Sequence, residues 1–329
     1  MLNRPYSQLM LSAALGLALL SMPGVQSAAR AQSFPSKPVK VILPSPPGGG
    51  TDALARILAD KLREKWGQPV IVENRAGAGG NIAGDVTSKA APDGYTLMLA
   101  HPAPLVINKA LYSKLSYDPD QFVPVSLVAT VPNVLVVNAK SPAGSVAQLI
   151  AMARAEPGKL NFASGAVGSP SSLTPELFKS MTGVNIPSIP FQGSAPALVA
   201  LLGGQVDMLF VELSTALPHI RAGKLRALAV AAERRSPFLP EVPTLADTLP
   251  GFNASVWFGI VAPPKTPAAL AEQISRAVAE ALKLADVSKQ LVDMSMEAVG
   301  GTPAEMAQYL REESRRWGAV IRQSGARAD

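Results

Sequence analysis

Pro44-Ser45-Pro46-Pro47-Gly48-Gly49-Gly50-Thr51-Asp52 lies between two patterns of different period. Before it, Val39, Val41, Ile42 and Leu43 form a short apolar run that reads as a buried strand. After it, Leu54, Ile57, Leu58 and Leu62 recur at helical spacing until Gly67 supplies a stop. The stretch is therefore a loop that joins a strand to a helix. Thr51 or Asp52 can cap that helix, and the glycines put no side chain over its first N–H groups, an arrangement that attracts anions. It lacks the Gly-Lys-Ser/Thr ending of a nucleotide P-loop and the GxGxxG spacing of a dinucleotide site. Read alone, it is equally a tight strand-to-helix turn.

Outward from this loop the pattern repeats. Val70 to Asn74 reads as a strand, Arg75 to Asn81 as a second glycine loop, and the residues through Ile82, Val86 and Ala90 as a helix. If the two strands are parallel neighbours, the loops make adjacent anion sites. Tyr95 to Ala100 predicts a third strand whose end, at His101, should lie beside both loops. His101 is one of two histidines, and it is either a ligand contact or a local hydrogen-bonding residue.

The α/β pattern restarts at Asn133. A strand over 160–163 runs into the Ser164 to Ser172 loop, where the hydroxyls of Ser164, Ser169, Ser171 and Ser172 can donate to carboxylate oxygens or cap the next helix. A buried strand over 206–211 ends at Glu212, a carboxylate placed to face a cleft. His219 and Arg221 fall in the last turn of the following helix, where cations suit the dipole. The 255–262 strand reads as a return crossing to the first half, followed by amphipathic helices over 267–284 and 303–324.

Residues 1–31 combine a basic start at Arg4, an apolar run from Leu9 to Leu20 and an Ala29-Arg30-Ala31 cleavage site, so they read as a secretory signal peptide. Removing them leaves 28 basic and 24 acidic residues, a formal charge of +4. With no cysteine, the chain has neither disulfides nor a lipidated cysteine, which points to a free periplasmic protein. Scattered charges and 5% aromatic residues argue against nucleic-acid binding. About 300 remaining residues exceed the size of one core, so two domains are expected.

No G-x-S-x-G elbow, no H-E-x-x-H and no cysteine nucleophile occurs, and neither histidine has a second metal ligand at the right spacing. A binder with no cofactor and no metal is therefore expected, with a hydrolase using His101 as an outside alternative.

The chain resembles the Bug-type, TctC-like periplasmic substrate-binding proteins of tripartite tricarboxylate transporters. The motifs that carry the resemblance are PPGGGTD (46–52), VENRAGAGGN (72–81), APDGYTL (91–97), ASGAVGSPSSL (163–173), FQGSAPAL (191–198), LLGGQVD (201–207), ALPHIRAGKLRALAV (216–230) and WFGIVAP (257–263). The resemblance implies a two-lobed, type II-like α/β binding-protein fold with mainly parallel sheets. Lobe 1 would be 32–132 and 256–329 and lobe 2 would be 133–255. It implies a monomer that closes by a hinge motion over a dicarboxylate, amino acid or aromatic acid. Its partners would be membrane transporter subunits or, alternatively, a sensor kinase. Carried over, the ligand-binding positions are Gly48, Gly49, Thr51 and Asp52, then Ala78, Gly79, Gly80 and Asn81, then Ser164 and Ser169. Ser172 and Val211-Glu212 depart from the family pattern, so the side of the cleft that distinguishes ligands is altered. Glu212 there suits an ammonium or hydroxyl group, and His101 is a second candidate for tuning selection.

Overall fold

The computed structural model describes residues 34–165, 169–191 and 193–328. The expected signal peptide at 1–31, Ala166 to Gly168 of the serine loop and Gln192 of the 191–198 motif lie outside the described residues. The chain from Lys37 onward forms one compact unit.

Its first half runs β1 (Val39–Leu43), α1 (Gly50–Trp66), β2 (Val70–Asn74), α2 (Asn81–Ser88), β3 (Thr96–Ala100), α3 (Asn108–Leu111) and β4 (Val123–Val131). The second half opens with β5 (Asn133–Asn138), α4 (Val146–Ala155), β6 (Phe162–Ser164), α5 (Pro170–Thr182) and β7 (Ser188–Pro190). It continues through α6 (Ser194–Leu202), β8 (Met208–Glu212), α7 (Leu213–Arg221) and β9 (Leu225–Val230). The chain ends with β10 (Val256–Ala262), α8 (Ala268–Leu282), α9 (Ala285–Asp293), β11 (Glu297–Ala298) and α10 (Pro303–Ser324).

These strands form two sheets, ordered β11-β4-β10-β3-β1-β2 and β7-β6-β8-β5-β9. In the first, β1 pairs in parallel with both β2 and β3, so the loops that follow all three strands leave from one edge. Both sheets are mixed rather than mainly parallel. The reason is the crossings: β10 returns antiparallel to β3 and β4, and β5 enters antiparallel to β8 and β9. Only Pro132 separates β4 from β5, so the chain passes from one sheet to the other through a single residue.

The crossings are pinned. Asn133 Nδ2 donates to the Ala254 carbonyl at 2.8 Å, and Ala254 N–H donates to the Ala231 carbonyl at 2.9 Å. One apolar core cluster draws on both sheets, including Met98 and Trp257 from the first and Phe162 and Phe210 from the second. Against the second sheet, Phe162 of β6, Phe210 of β8 and Phe252 of the segment before β10 stack with centroids 5.6 and 6.1 Å apart. Sequence periodicity ended the helix before α9 at Leu284 and gave no sign of α9 itself, of the short edge strand β11 or of the π-helical turn Ala103–Ile107.

Candidate functional site: a cleft lined by helix starts

Four helices begin at one cleft. α1 starts after Gly49, which has no side chain, so the first-turn N–H groups of Gly50, Thr51 and Asp52 receive no side-chain cap. α2 starts after Gly80, α5 after Ser169 and α7 after Glu212, and none of these residues caps its helix with a side-chain hydrogen bond. Gly50, Thr51, Gly80, Ser169 and Glu212 all line a single cavity of about 470 Å³. Uncapped helix starts present N–H donors and positive dipole ends, and here they converge from both sheets. The other walls are largely apolar, with Pro44, Pro46, Leu111, Val256 and Phe258, and among the described residues no lysine or arginine lines them.

Asp52 fixes the first loop without lining the cavity. Its carboxylate accepts Arg56 Nε at 2.9 Å and Nη2 at 3.0 Å, Gly48 N–H at 3.1 Å and Asn74 Nδ2 at 3.0 Å. The same Asn74 amide donates to the Ser45 carbonyl at 3.0 Å, tying the loop to the end of β2. The hydrogen bond from Arg56, joined by those from Gly48 and Asn74, outweighs burial and holds the Asp52 pKa down at about 2.

The second loop folds through four consecutive residues with positive φ, Gly77 to Gly80. A Cβ on Gly80 would lie 2.9 Å from Pro44 Cβ, so the two glycine loops touch at a place where only glycine fits. Asn108 Nδ2 donates to the Gly79 carbonyl at 3.0 Å and to Asn81 Oδ1 at 2.6 Å. Tyr117 OH lies 3.1 Å from Asn81 Oδ1 and donates to the Pro104 carbonyl at 2.8 Å. Asn81 thus organises the loop from behind.

Of the residues expected from the sequence, Thr51, Gly79, Gly80, His101, Ser169 and Glu212 line the cavity. Gly48, Gly49, Asp52, Ala78, Asn81, Ser164 and Ser172 are not in its wall. Ser164 is buried, and Ser172 Oγ donates to the Ser169 carbonyl at 2.9 Å, a local turn at the start of α5. The lining residues that sequence reasoning missed are chiefly Ser45, Asn108, Tyr112, Val256 and Phe258. Ser45 was within the quoted loop, and Val256 and Phe258 were in the strand read as a crossing. Nothing local marked Asn108 or Tyr112.

Neither His101 nor Glu212 has a charge partner among the described residues. His101 Nδ1 accepts Ala103 N–H at 3.3 Å, and burial pushes its pKa down to about 4, so the ring is neutral at pH 7 with its proton on Nε2. Burial pushes Glu212 up from the usual carboxylate range. Its side chain is half-buried and forms no hydrogen bond with a described residue.

Residues 54–326 match the model of the tripartite tricarboxylate transporter family receptor, TctC. The chain belongs to the TctC family. It is 41% identical over 320 residues to the protein BugT of Bordetella pertussis, covering 96% of this chain and 98% of that one. Two solved structures from Rhodopseudomonas palustris are also similar. Rpa4515 with adipate is 38% identical with a TM-score of 0.74, covering 89% of this chain and 98% of that one. MatC with bound malate is 35% identical with a TM-score of 0.71, covering 88% of this chain and 100% of that one. This TctC-family chain is accordingly a two-lobed α/β solute-binding protein and not an enzyme, which removes the hydrolase alternative.

Proposed function

We propose that this TctC-family protein is exported to the periplasm through cleavage of residues 1–31 and captures a small carboxylated ligand for a tripartite tricarboxylate-type transporter. The observation that carries the reading is the convergence of four helix starts without side-chain caps on a cleft with no cationic side chain among the described residues of its wall. Such a site favours an anion through backbone N–H donors rather than through an ion pair. A micromolar ligand requires about −8 kcal/mol. Hydrogen bonds to a charged group contribute about 1.5–3 kcal/mol each, so three to five converging donors suffice. The lining from the first two glycine loops, with Ser169 opposite, supplies donors of the right kind.

In this reading lobe 1 comprises 32–132 and 256–329 and lobe 2 comprises 133–255, with Pro132 and Ser255 at the crossings. The bound adipate and malate of the two Rhodopseudomonas structures support a carboxylate as the ligand class. The test is a thermal-shift and calorimetric screen of protein refolded free of ligand, against mono-, di- and tricarboxylates, amino acids and aromatic acids. A ligand at 100 times its Kd adds about 2.7 kcal/mol, which raises Tm by roughly 5–10 °C in a protein of this size. Shifts confined to carboxylated compounds are expected. Binding of uncharged solutes alone would sink the reading. The transporter assignment is checked separately, by loss of uptake of the identified ligand when the gene for this chain is deleted.

A further inference from the structure

The end of β8 places one acid in a cleft otherwise built for anions. Glu212 pairs in register with Asn133, and Leu213 N–H donates to the Pro132 carbonyl at 2.9 Å, so the carboxylate sits beside the crossing between the sheets. It lines the cavity together with the glycine loops of the first sheet.

We propose that Glu212 is the specificity-determining residue of the cleft, and that it takes the ammonium end of an amino-carboxylate whose carboxylate end rests on the starts of α1 and α2. The proposal rests on the carboxylate reading above and names the ligand class within it.

The carboxylate of Glu212 has no matching charge among the described residues. An ionised carboxylate only accepts hydrogen bonds, and a half-buried one without donors is a costly arrangement. Among the described residues no lysine or arginine shares the cavity wall, whose other titratable side chains are His101, held neutral by burial, and Tyr112. The elements packed against β8 bring no cation either. β5, β6 and α6 carry no charged residue; α5 carries Glu176 and Lys179, 2.7 Å apart and paired with each other; α7 carries His219 and Arg221 in its last turn, at the far end from Glu212. The upward displacement of the Glu212 pKa by burial agrees with a missing partner. An arriving ammonium group supplies both the charge and the donors that the site lacks. A second carboxylate at the same place meets repulsion, or must bring a proton.

The test uses two matched sets of ligands in calorimetry at pH 7.5. The first is butyrate, glutarate and 4-aminobutyrate, and the second is hexanoate, heptanedioate and 6-aminohexanoate. In at least one set the amino acid is expected to bind ten-fold or more tightly than the diacid. Glu212→Gln should abolish that preference, weakening the amino acid at least ten-fold while the diacid binds as well or better. Glu212→Asp, which keeps the charge, should retain the preference, and circular dichroism verifies that both variants are folded. A diacid preferred by the wild type, or a preference unchanged in Glu212→Gln, would overturn the proposal and leave the carboxylate reading standing. Failure of all six compounds to bind would overturn the proposal, while the broader carboxylate screen decides the carboxylate reading on its own.

Discussion

Asp52 shows how a residue at a binding loop can serve the loop rather than the ligand. It holds Gly48, Arg56 and Asn74 together while staying out of the cavity wall. Asp52→Asn is expected to lower stability at pH 7 by about 1.5–3 kcal/mol, the value of hydrogen bonds to a charged group, and to weaken ligand binding through a loosened loop. Urea unfolding and calorimetry measure the two effects. The pH dependence has a defined sign. With its pKa held at about 2 against an ordinary 3.8, Asp52 stabilises the fold fully above that ordinary value and loses the contribution as pH falls through about 2. The gap between wild type and Asp52→Asn should therefore narrow over that window, and a constant gap would contradict the assignment. Gly80→Ala makes a second residue-scale prediction. A φ of 93° together with a Cβ 2.9 Å from Pro44 should cost more than about 1 kcal/mol, the lower end of the usual left-handed penalty, and should reduce affinity by displacing one glycine loop from the other. At this scale the sequence was partly legible. Glycine runs after strands announce bare helix starts, and the Asp52/Arg56 spacing of four along a helix already contained the salt bridge that the motif-based reading passed over. Asn108 and Tyr112 were not legible, because their place beside Gly79 depends on the packing of α3 and the preceding π-helical turn against α2, which no local pattern encodes.

At the scale of elements, α10 joins the two sheets to each other. Its Glu313, 1% exposed, accepts the indole N–H of Trp257 at 2.8 Å and of Trp317 at 2.9 Å, linking the crossing strand β10 to the last helix. Arg316 Nη1 pairs with Glu313 at 2.5 Å and donates to the Asn253 carbonyl at 2.9 Å. Glu313→Ala removes one partner of a buried ion pair and strands two indole donors, and about 3–5 kcal/mol of destabilisation is expected. Glu313→Gln keeps an acceptor and should lose clearly less. Denaturant unfolding followed by tryptophan fluorescence reads both variants. Equal losses would show that the indole hydrogen bonds contribute little. The helical period over 303–324 marked this helix, and its Thr302 capping box with Glu305 confirms the start. The period could not show that one of its charged residues faces inward, since Glu313 sits among Arg and Glu residues that read together as a solvated face. Strand direction was harder still. Parallel pairing of β1 with β2 and β3 fits the repeated strand-loop-helix units, whereas the antiparallel entries of β5 and β10 depend on how the chain crosses, and local pattern carries no sign of that.

For the whole molecule, the arrangement of ties constrains how the proposed lobes can move. The chain crosses between sheets at Pro132 and near Ser255, and Asn133 clamps the two crossings together through the Ala254 carbonyl. A further tie lies outside the cleft wall, where Ser180 Oγ of α5 donates to Gln323 Oε1 of α10 at 2.5 Å. The cleft itself is lined from both sheets, with Thr51 and Gly80 from one and Ser169 and Glu212 from the other, so a ligand that contacts both sides stabilises their approach. Hinge motion about the crossings, with the α5–α10 contact as a second pivot, is the displacement that these ties leave open. Small-angle scattering of the ligand-free and saturated protein should then show a smaller radius of gyration on binding. Asn133→Ala leaves the Ala254 carbonyl without its side-chain donor, which should cost about 1–3 kcal/mol of stability. By loosening the clamp it should also raise Kd without changing which ligands bind, since no contact in the wall is altered. An unchanged radius of gyration at saturation would mean that the ligand enters a cleft already closed. In that case Asn133→Ala should alter stability alone, and selection would rest entirely on the fixed geometry of the helix starts and Glu212.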